Sequence, residues 1–272
     1  MKTIMRLLIA LPIGLLIAIA ALDIWGALTL GTMQPDPAFS RDPDANKVVL
    51  VMGANGAAGD GLLKAAMEDN RVERVVVITR SRSERIDQGV ASGRIELHMH
   101  KDFTDYSALT EVLSQVDTVL WGLGVSSLSV DDATFTRIQV DFPLAFANQW
   151  LAVKDNGPIS FHYITGMGTE GDAQWAQEKR RAEQGLTDLG LTSPLRSYHY
   201  RSAFIGPASE RSSFTARLLE WLLRPGKLVI PGIELGRAML EISARVGELP
   251  NGTIIDNADS IVYAQAYHRQ QD

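Results

Sequence analysis

Residues 48–59 read VVLVMGANGAAG, an apolar strand followed at once by glycines spaced G-x-x-G-x-x-G. Such a turn needs glycine where φ is positive, where backbone approaches a phosphate, and where helix packs closely on strand. Free amides and the dipole at the start of the following helix attract anions. The stretch therefore predicts a strand–turn–helix unit that binds a dinucleotide. The alternative is a tight turn between strand and helix that binds no ligand. We assign the predicted phosphate loop to Gly53, Asn55, Gly56, Ala57, Ala58 and Gly59.

The second apolar strand ends with a basic sequence that bears on the choice of dinucleotide. It is followed by Arg80, Ser81 and Arg82. An acidic residue at this point would bond the ribose 2′-hydroxyl of NAD, and none is present. Two arginines and a serine suit the 2′-phosphate of NADP, although both arginines would also be ordinary as solvated loop charges. The sequence therefore predicts NADP as cofactor, with NAD less favoured.

Two further strand ends complete the predicted cofactor site. Asp102 and Phe103 follow the third strand, where the carboxylate could accept from the adenine amino group beside the phenyl ring. Gly122, Leu123 and Gly124 follow the fourth strand. Small residues there would let a cofactor lie across the ends of the strands.

Strands and helices alternate from Lys47 onward. The predicted strands are Val48–Val51, Val75–Thr79, Ile95–His98, Thr118–Trp121 and Ile159–Ile164, and the helices between them are Gly61–Glu68, Tyr106–Gln115 and Phe135–Val153. Nearly all-apolar strands separated by helices indicate an α/β fold with a doubly wound parallel sheet. From about residue 195 the pattern becomes irregular, and we expect a small substrate-side region there. Its predicted elements are the helices Phe214–Leu223 and Arg237–Val246 and the strand Thr253–Ile255.

Composition excludes several classes of protein. The chain has 272 residues, enough for one large α/β domain, and 46% of them are apolar. It contains no cysteine, which rules out disulfides and thiolate chemistry, and its net charge of -6 gives no reason to expect nucleic-acid binding. His98 and His100 lack a metal-ligand spacing, so we predict no metal site.

The N-terminal segment is hydrophobic. Lys2 and Arg6 precede an apolar run from Leu7 to Leu22, which Asp23 ends. We divide the chain into a membrane anchor or cleaved signal (1–30), a linker (31–46) and a dinucleotide-binding domain (47–272). We expect a membrane-associated protein with a single N-terminal span, without deciding the side on which the domain lies; a signal or a buried helix is the alternative.

Together these motifs resemble the extended and atypical short-chain dehydrogenase/reductases, which have a Rossmann fold. The similarity is greatest to the branch of the HIV Tat-interacting protein 2 type and the nitrogen-metabolite-repression-regulator-like proteins. It extends over about residues 47–263. The matching pieces are Gly53–Gly59, Thr79-Arg80, Asp102-Phe103, Gly122–Gly124, Ile164–Gly166 and Ile255–Ile261.

The resemblance implies a catalytic Tyr-x-x-x-Lys and a Ser or Thr after the fifth strand. Lys179 fits the lysine position and Thr165 is the nearest hydroxyl, but Trp175 occupies the tyrosine position. An indole N–H only donates and cannot act as an acid or base near neutral pH. Lys179 can still hold a cofactor ribose, whereas the proton donor is missing.

Other residues near the predicted site could supply a proton, although a structural role is the simpler interpretation for each. The candidates are Ser126, Ser127, Tyr163, Tyr198, His199 and Tyr200. None has a spacing that singles it out.

Three functions therefore remain open. The first is a membrane-associated NADP-dependent oxidoreductase or isomerase that acts on an unidentified small molecule with a non-standard proton donor. The second is a non-catalytic NADP-binding sensor or an assembly or scaffold factor, which the loss of the tyrosine favours. The third is an exported protein that keeps the fold without meeting NADP.

Overall fold

A seven-stranded parallel sheet forms the centre of the computed structural model, which describes residues 2–154, 157–207 and 214–270. Its strands are β1 (Val48–Met52), β2 (Arg74–Thr79), β3 (Ile95–Met99), β4 (Thr118–Trp121), β5 (Ile159–Ile164), β6 (Leu195–Arg201) and β9 (Thr253–Asp256). They lie in the order β3-β2-β1-β4-β5-β6-β9. A separate parallel pair contains β7 (Phe204–Gly206) and β8 (Val229–Pro231). From β1 the chain adds β2 and β3 on one side, and it then adds β4, β5 and β6 on the other side. The prediction of a doubly wound α/β fold is therefore confirmed.

Helices cover both faces of the sheet. In chain order, the helices that the structure describes are α1 (Lys2–Thr29), α2 (Ala57–Glu68), α3 (Glu84–Ala91), α4 (Thr110–Gln115), α5 (Asp132–Thr136), α6 (Phe142–Leu151), α7 (Gln174–Leu189), α8 (Phe214–Leu223), α9 (Gly232–Ala244) and α10 (Asn257–His268). Side chains alternate along each strand, so Val49 and Val51 pack with α2, α3, α9 and α10. Leu50 and Met52 face the opposite core, which α4, α6 and α7 cover.

The long helix predicted over Phe135–Val153 is divided. A π-helical turn, Arg137–Asp141, joins α5 to α6. Such turns insert an extra residue and change the direction in which the neighbouring side chains point. Near the C-terminus, α9 begins before the predicted Arg237, and β9 joins the edge of the main sheet beside β6.

The predicted N-terminal membrane span is wrong. Within the described ranges, no helix combines the length and the apolar character needed to cross a membrane. The apolar run of α1 ends at Asp23, and the following turn lies against the rest of the chain. A Cβ on Gly26 would fall 2.3 Å from the carbonyl oxygen of Gly226, and Leu22 packs against the same glycine.

The segment 31–46 is bound to the C-terminal helices. The amide of Met33 donates to the Asp259 carboxylate at 2.9 Å. Arg41 pairs with Glu241, whose buried carboxylate also accepts from Arg245 at 2.6 Å. Removing the segment would take Arg41 away from the buried Glu241 carboxylate and leave that charge with fewer partners, which is costly. Experiments on this protein therefore require the full chain.

Candidate functional site

The glycine turn between β1 and α2 packs against the end of β4. Gly53 has a φ of +74°, and a Cβ there would fall 2.5 Å from the amide nitrogen of Leu123. A Cβ on Gly59 would lie 2.0 Å from the carbonyl oxygen of Gly53. Gly56 differs, because its φ is -78° and a Cβ would meet only the Gly53 oxygen, at 3.3 Å. Packing therefore requires two of the glycines, whereas Gly56 leaves open space at the start of α2.

The N-terminus of α2 has the properties of an anion site. The amides of Ala57, Ala58 and Gly59 occupy the first turn, where a helix offers them no internal acceptor. The helix dipole adds partial positive charge at the same end. Asp60 also lies in this turn, but Arg85 neutralises it through contacts of 2.8 and 3.2 Å. The turn therefore presents free N–H groups without an uncompensated carboxylate.

A cleft of about 250 Å³ opens at the carboxyl ends of β1, β2 and β4. It is lined by Gly53, Asn55, Gly56, Ile78, Thr79, Arg80, Ser81, Phe103, Gly122, Leu123 and Gly124. Most of the predicted cofactor residues thus lie around one cavity. Asn55 closes one side, where its Nδ2 donates to the carbonyl and hydroxyl oxygens of Ser81 at 2.7 and 2.8 Å. The Oδ1 atom of Asn55 is buried, and no residue that the structure describes donates a hydrogen bond to it.

The two predicted 2′-phosphate arginines lie in different surroundings. Arg80 lines the cleft, and its guanidinium carbon lies 5.7 Å from the centre of the Phe103 ring. Arg82 pairs with Asp87 and lies outside the cleft lining. Asp102 is also exposed outside the lining, where hydrogen bonds from the Thr104 hydroxyl and amide hold the pKa of its carboxyl below the usual value. Arg80 and Phe103 are therefore the side chains that the fold brings to this end of the cleft.

Lys179 is buried between α7, β5 and the π-helical turn. Its Nζ donates to Oε1 of Gln139 at 2.6 Å and to the carbonyl oxygen of Ile164 at 3.2 Å. Burial lowers the pKa of Lys179 to about 7, although the nearby Glu183 carboxylate acts in the opposite direction. This amine therefore changes charge near neutral pH.

Gln139 is the residue of this cluster that the sequence did not indicate. Its Nε2 donates to the backbone carbonyl oxygen of Val125 at 2.9 Å. The backbone carbonyl oxygen of Gln139 accepts from the Tyr163 hydroxyl at 2.6 Å. It thus connects Lys179 to the loop that follows β4. The π-helical turn places it there, and no motif marks that turn in the sequence.

The expected catalytic residues are only partly brought together. Trp175 lies in the first turn of α7, one turn before Lys179, so both side chains lie on one side of the helix. Thr165 is buried, and its hydroxyl lies 3.4 Å from the carbonyl oxygen of Tyr200. Thr165 does not line the cleft. The hydroxyl of Thr165 is therefore directed to a backbone carbonyl of β6, while Trp175 and Lys179 share one side of α7.

Most of the alternative proton donors belong to the core. His199 is buried, its Nε2 lies 3.1 Å from the Thr187 hydroxyl, and burial lowers the pKa of its imidazole to about 4. Tyr200 shares a hydrogen bond of 2.8 Å with His162, and the Tyr198 hydroxyl is 3.5 Å from a backbone carbonyl. Ser127 differs from these, because it lines a second cavity together with Trp175.

Comparisons with known proteins identify the fold. No protein-family model matches the sequence, and no curated protein matches it. Among solved structures, a 3-oxoacyl-[acyl-carrier protein] reductase from Brucella melitensis in complex with NAD is 14% identical, with 80% of this chain and 97% of that chain covered and a TM-score of 0.59. A short-chain dehydrogenase/reductase from Saccharomyces cerevisiae is 12% identical, with coverage of 79% and 97% and a TM-score of 0.61.

A more distant enzyme type shares the same architecture. A UDP-glucuronic acid 4-epimerase from Bacillus cereus in complex with NAD is 15% identical, with 77% of this chain and 76% of that chain covered and a TM-score of 0.57. The chain thus has a Rossmann-like α/β fold, and the solved structures similar to it include short-chain dehydrogenase/reductases. At these identities the likeness establishes the fold and leaves the reaction to the residues of the site.

The buried amine of Lys179 should make stability depend on pH. The unfolded chain has the ordinary lysine pKa of 10.5, whereas the folded value is about 7. Between these values the unfolded chain binds a proton that the folded protein does not, so the stability of the wild type rises with pH. We expect the free energy of unfolding of Lys179→Met, relative to that of the wild type, to be highest at about pH 6 and to fall towards about pH 10.

Urea unfolding at a series of pH values measures this difference. The same substitution at the exposed Lys101 controls for loss of a lysine. A difference between Lys179→Met and wild type that is constant across the pH range would contradict the shifted pKa.

Proposed function

We propose that this chain binds NADP(H) in the cleft at the carboxyl ends of β1, β2 and β4, and that it is an oxidoreductase-like protein of the atypical short-chain dehydrogenase/reductase branch with altered proton-transfer chemistry. The observation that carries the proposal is the open turn at Gly56. Gly56, the residue directly before α2, lines the cleft, and Arg80 lines it at the end of β2.

The residues present fit such a cofactor. Among the described residues, the atom close to a Cβ at Gly56 is the carbonyl oxygen of Gly53, at 3.3 Å. The remaining space is open, as expected where a phosphate approaches the backbone. The buried Oδ1 of Asn55 lacks a donor, and a ligand hydroxyl or amino group would supply one. Both features are unfavourable for a turn whose role is only structural.

Each part of the cleft has a proposed task. The first-turn amides of α2 hold the pyrophosphate, and Arg80 binds the 2′-phosphate while stacking on Phe103. Asp102 and Arg82 lie outside the cleft lining, and we propose only a secondary role for them at the adenosine end. Lys179 lies outside the cleft lining, and we propose that its amino group, held by Gln139, binds the nicotinamide ribose. When bound, the nicotinamide accepts or donates hydride.

Trp175 decides between two versions of this function. If the chain is an enzyme, a substrate proton must come from a group other than the indole, because the indole is only a donor of a non-acidic N–H. The second candidate is a non-catalytic NADP sensor or an assembly factor, and the observation that favours it is again Trp175. In that version Lys179 and the cleft serve binding alone.

Gly56→Leu should abolish NADPH binding without unfolding the protein. The side chain would occupy the space over the first-turn amides, while the φ of -78° at this position suits any residue. Fluorescence titration with NADPH measures the affinity. Gly59→Leu is the contrast, because its Cβ would lie 2.0 Å from the Gly53 oxygen and thermal stability should fall. Unchanged affinity in a folded Gly56→Leu variant would mean that the phosphates lie elsewhere.

Arg80→Asp should weaken NADPH binding by at least about 100-fold while changing NADH binding much less, since charge-assisted phosphate contacts are the strong ones. The carboxylate would repel the 2′-phosphate, which NADH lacks. Calorimetric titration with both nucleotides gives the ratio. Arg82→Asp is the matched control, because Arg82 already pairs with Asp87 and should show a smaller effect. An equal loss for both nucleotides in Arg80→Asp would remove the case for NADP.

Trp175→Tyr should raise the rate of NADPH oxidation with 9,10-phenanthrenequinone as a reactive carbonyl probe. The phenol would stand one turn from Lys179, whose ammonium lowers the pKa of a neighbouring hydroxyl, and a positioned acid accelerates reduction by about 100-fold or more. Absorbance at saturating NADPH gives the rate. Trp175→Phe controls for loss of the indole. Equal rates for the Tyr and Phe variants would favour the non-catalytic candidate.

A further inference from the structure

A second cavity, of about 220 Å³, lies between α5 and the first turn of α7. The rings of Phe135 and Trp175 form part of its wall. The carboxylates of Asp132 and Glu178 line it as well. Its volume is below the range for drug-sized ligands, so it suits a small organic molecule.

This cavity adjoins the proposed cofactor site through one loop. Gly122 and Gly124 of the loop after β4 line the cofactor cleft, and Ser127 of the same loop lines the second cavity. On the opposite side, Trp175 precedes Lys179 by one turn of α7. A ligand in this cavity would therefore contact the loop after β4 and the turn of α7 that precedes Lys179.

The charges around the cavity are negative. No lysine, arginine or histidine is among the described residues that line it. Asp132 forms no ion pair with any residue that the structure describes, and Glu178 has a single cationic neighbour, the exposed Arg181, at 3.5 Å. A cation of the ligand would therefore be attracted by two carboxylates that few cations of the chain neutralise.

The aromatic walls determine which kind of cation fits. Tryptophan has the most favourable ring face for an organic ammonium, and such groups are recognised by aromatic side chains combined with carboxylates. A bare metal ion would need several oxygen ligands, and within the described part of the chain no group of three or more His, Cys, Asp or Glu residues could hold one. Ser127 and Thr136 add hydroxyls for a polar part of the ligand.

We propose that this cavity binds the ammonium group of a small cationic molecule, held by Trp175 and Phe135 with Asp132 and Glu178, and that this cationic class is the substrate or effector of the protein. The proposal rests on the proposed function only for the role of the ligand, because the cavity itself is formed without the cofactor. The indole at the position where the family has a tyrosine thus acquires a task of its own, which is cation recognition.

The test compares choline with its neutral carbon isostere, 3,3-dimethyl-1-butanol, by calorimetry on the full chain, with and without NADP⁺. We expect choline to bind at least about tenfold more tightly than the alcohol, since only the cation gains from the indole face and from the two carboxylates. Equal affinity for the two probes, or no binding of choline, would overturn the proposal.

A double variant locates the site. Asp132→Asn with Glu178→Gln keeps the shape of the cavity and removes its charge, and choline affinity should fall about tenfold or more. Asp188→Asn, an exposed carboxylate at the far end of α7, is the matched control and should leave choline binding unchanged. Unchanged choline affinity in the double variant would place the probe elsewhere and contradict the proposal.

The nucleotide titration separates the two proposals. NADP⁺ affinity measured without choline should be the same in wild type and in the double variant. Choline binding without any NADP⁺ binding would support the cation cavity and contradict the proposed function. NADP⁺ binding with no preference for choline over the alcohol would support the proposed function and contradict the cation cavity.

Discussion

The close approach of backbone at Gly53, Gly59 and Gly122 is the contact on which the rest of the structure depends. A Cβ on Gly53 or Gly59 would overlap backbone atoms at 2.5 and 2.0 Å, and one on Gly122 would lie 3.1 Å from the Cα of Gly59. The start of α2 can therefore lie directly on the ends of β1 and β4. The order in which strands are added to the sheet changes side between β1 and β4. The crevice at such a point is where doubly wound proteins bind their ligands.

Small residues extend the same constraint to the C-terminal half. A Cβ on Gly61 would fall 2.4 Å from the carbonyl carbon of Gly232, and one on Gly236 would fall 2.6 Å from the Cβ of Ala65. Helix α9 thus packs closely on α2. Its buried Glu241 then holds Arg41, which precedes the first strand. Arg41 before β1 and the glycine turn after β1 are therefore both positioned by the packing of α9 on α2.

The sequence was sufficient to predict the sheet and the turn because both depend on local patterns. Runs such as Val48–Met52 are apolar throughout, and the spacing of Gly53 and Gly59 has a direct steric reason. The position of Gln139 could not be predicted, because a π-helical turn brings it to Lys179. The pairing of Arg82 with Asp87 was likewise invisible, since it requires the start of α3 to fold back towards β2.

The wrong prediction of a membrane span has a different origin. Apolar residues before Asp23 were judged by composition alone, and composition does not show which neighbours a segment has. In the structure the end of α1 contacts Gly226, and the following residues contact α9 and α10.

The altered catalytic position and the acidic cavity are physically compatible. A cationic ligand beside Trp175 would be repelled by a permanent charge on Lys179, one turn away on the same helix. Burial lowers the pKa of Lys179 to about 7, so at and above neutral pH a large share of the amine is uncharged. Gln139 and the Ile164 carbonyl accept hydrogen bonds from the amine in either state. The desolvation that makes Lys179 costly as a cation thus reduces the repulsion that an ammonium ligand would meet, and the carboxylates of Asp132 and Glu178 supply the attraction.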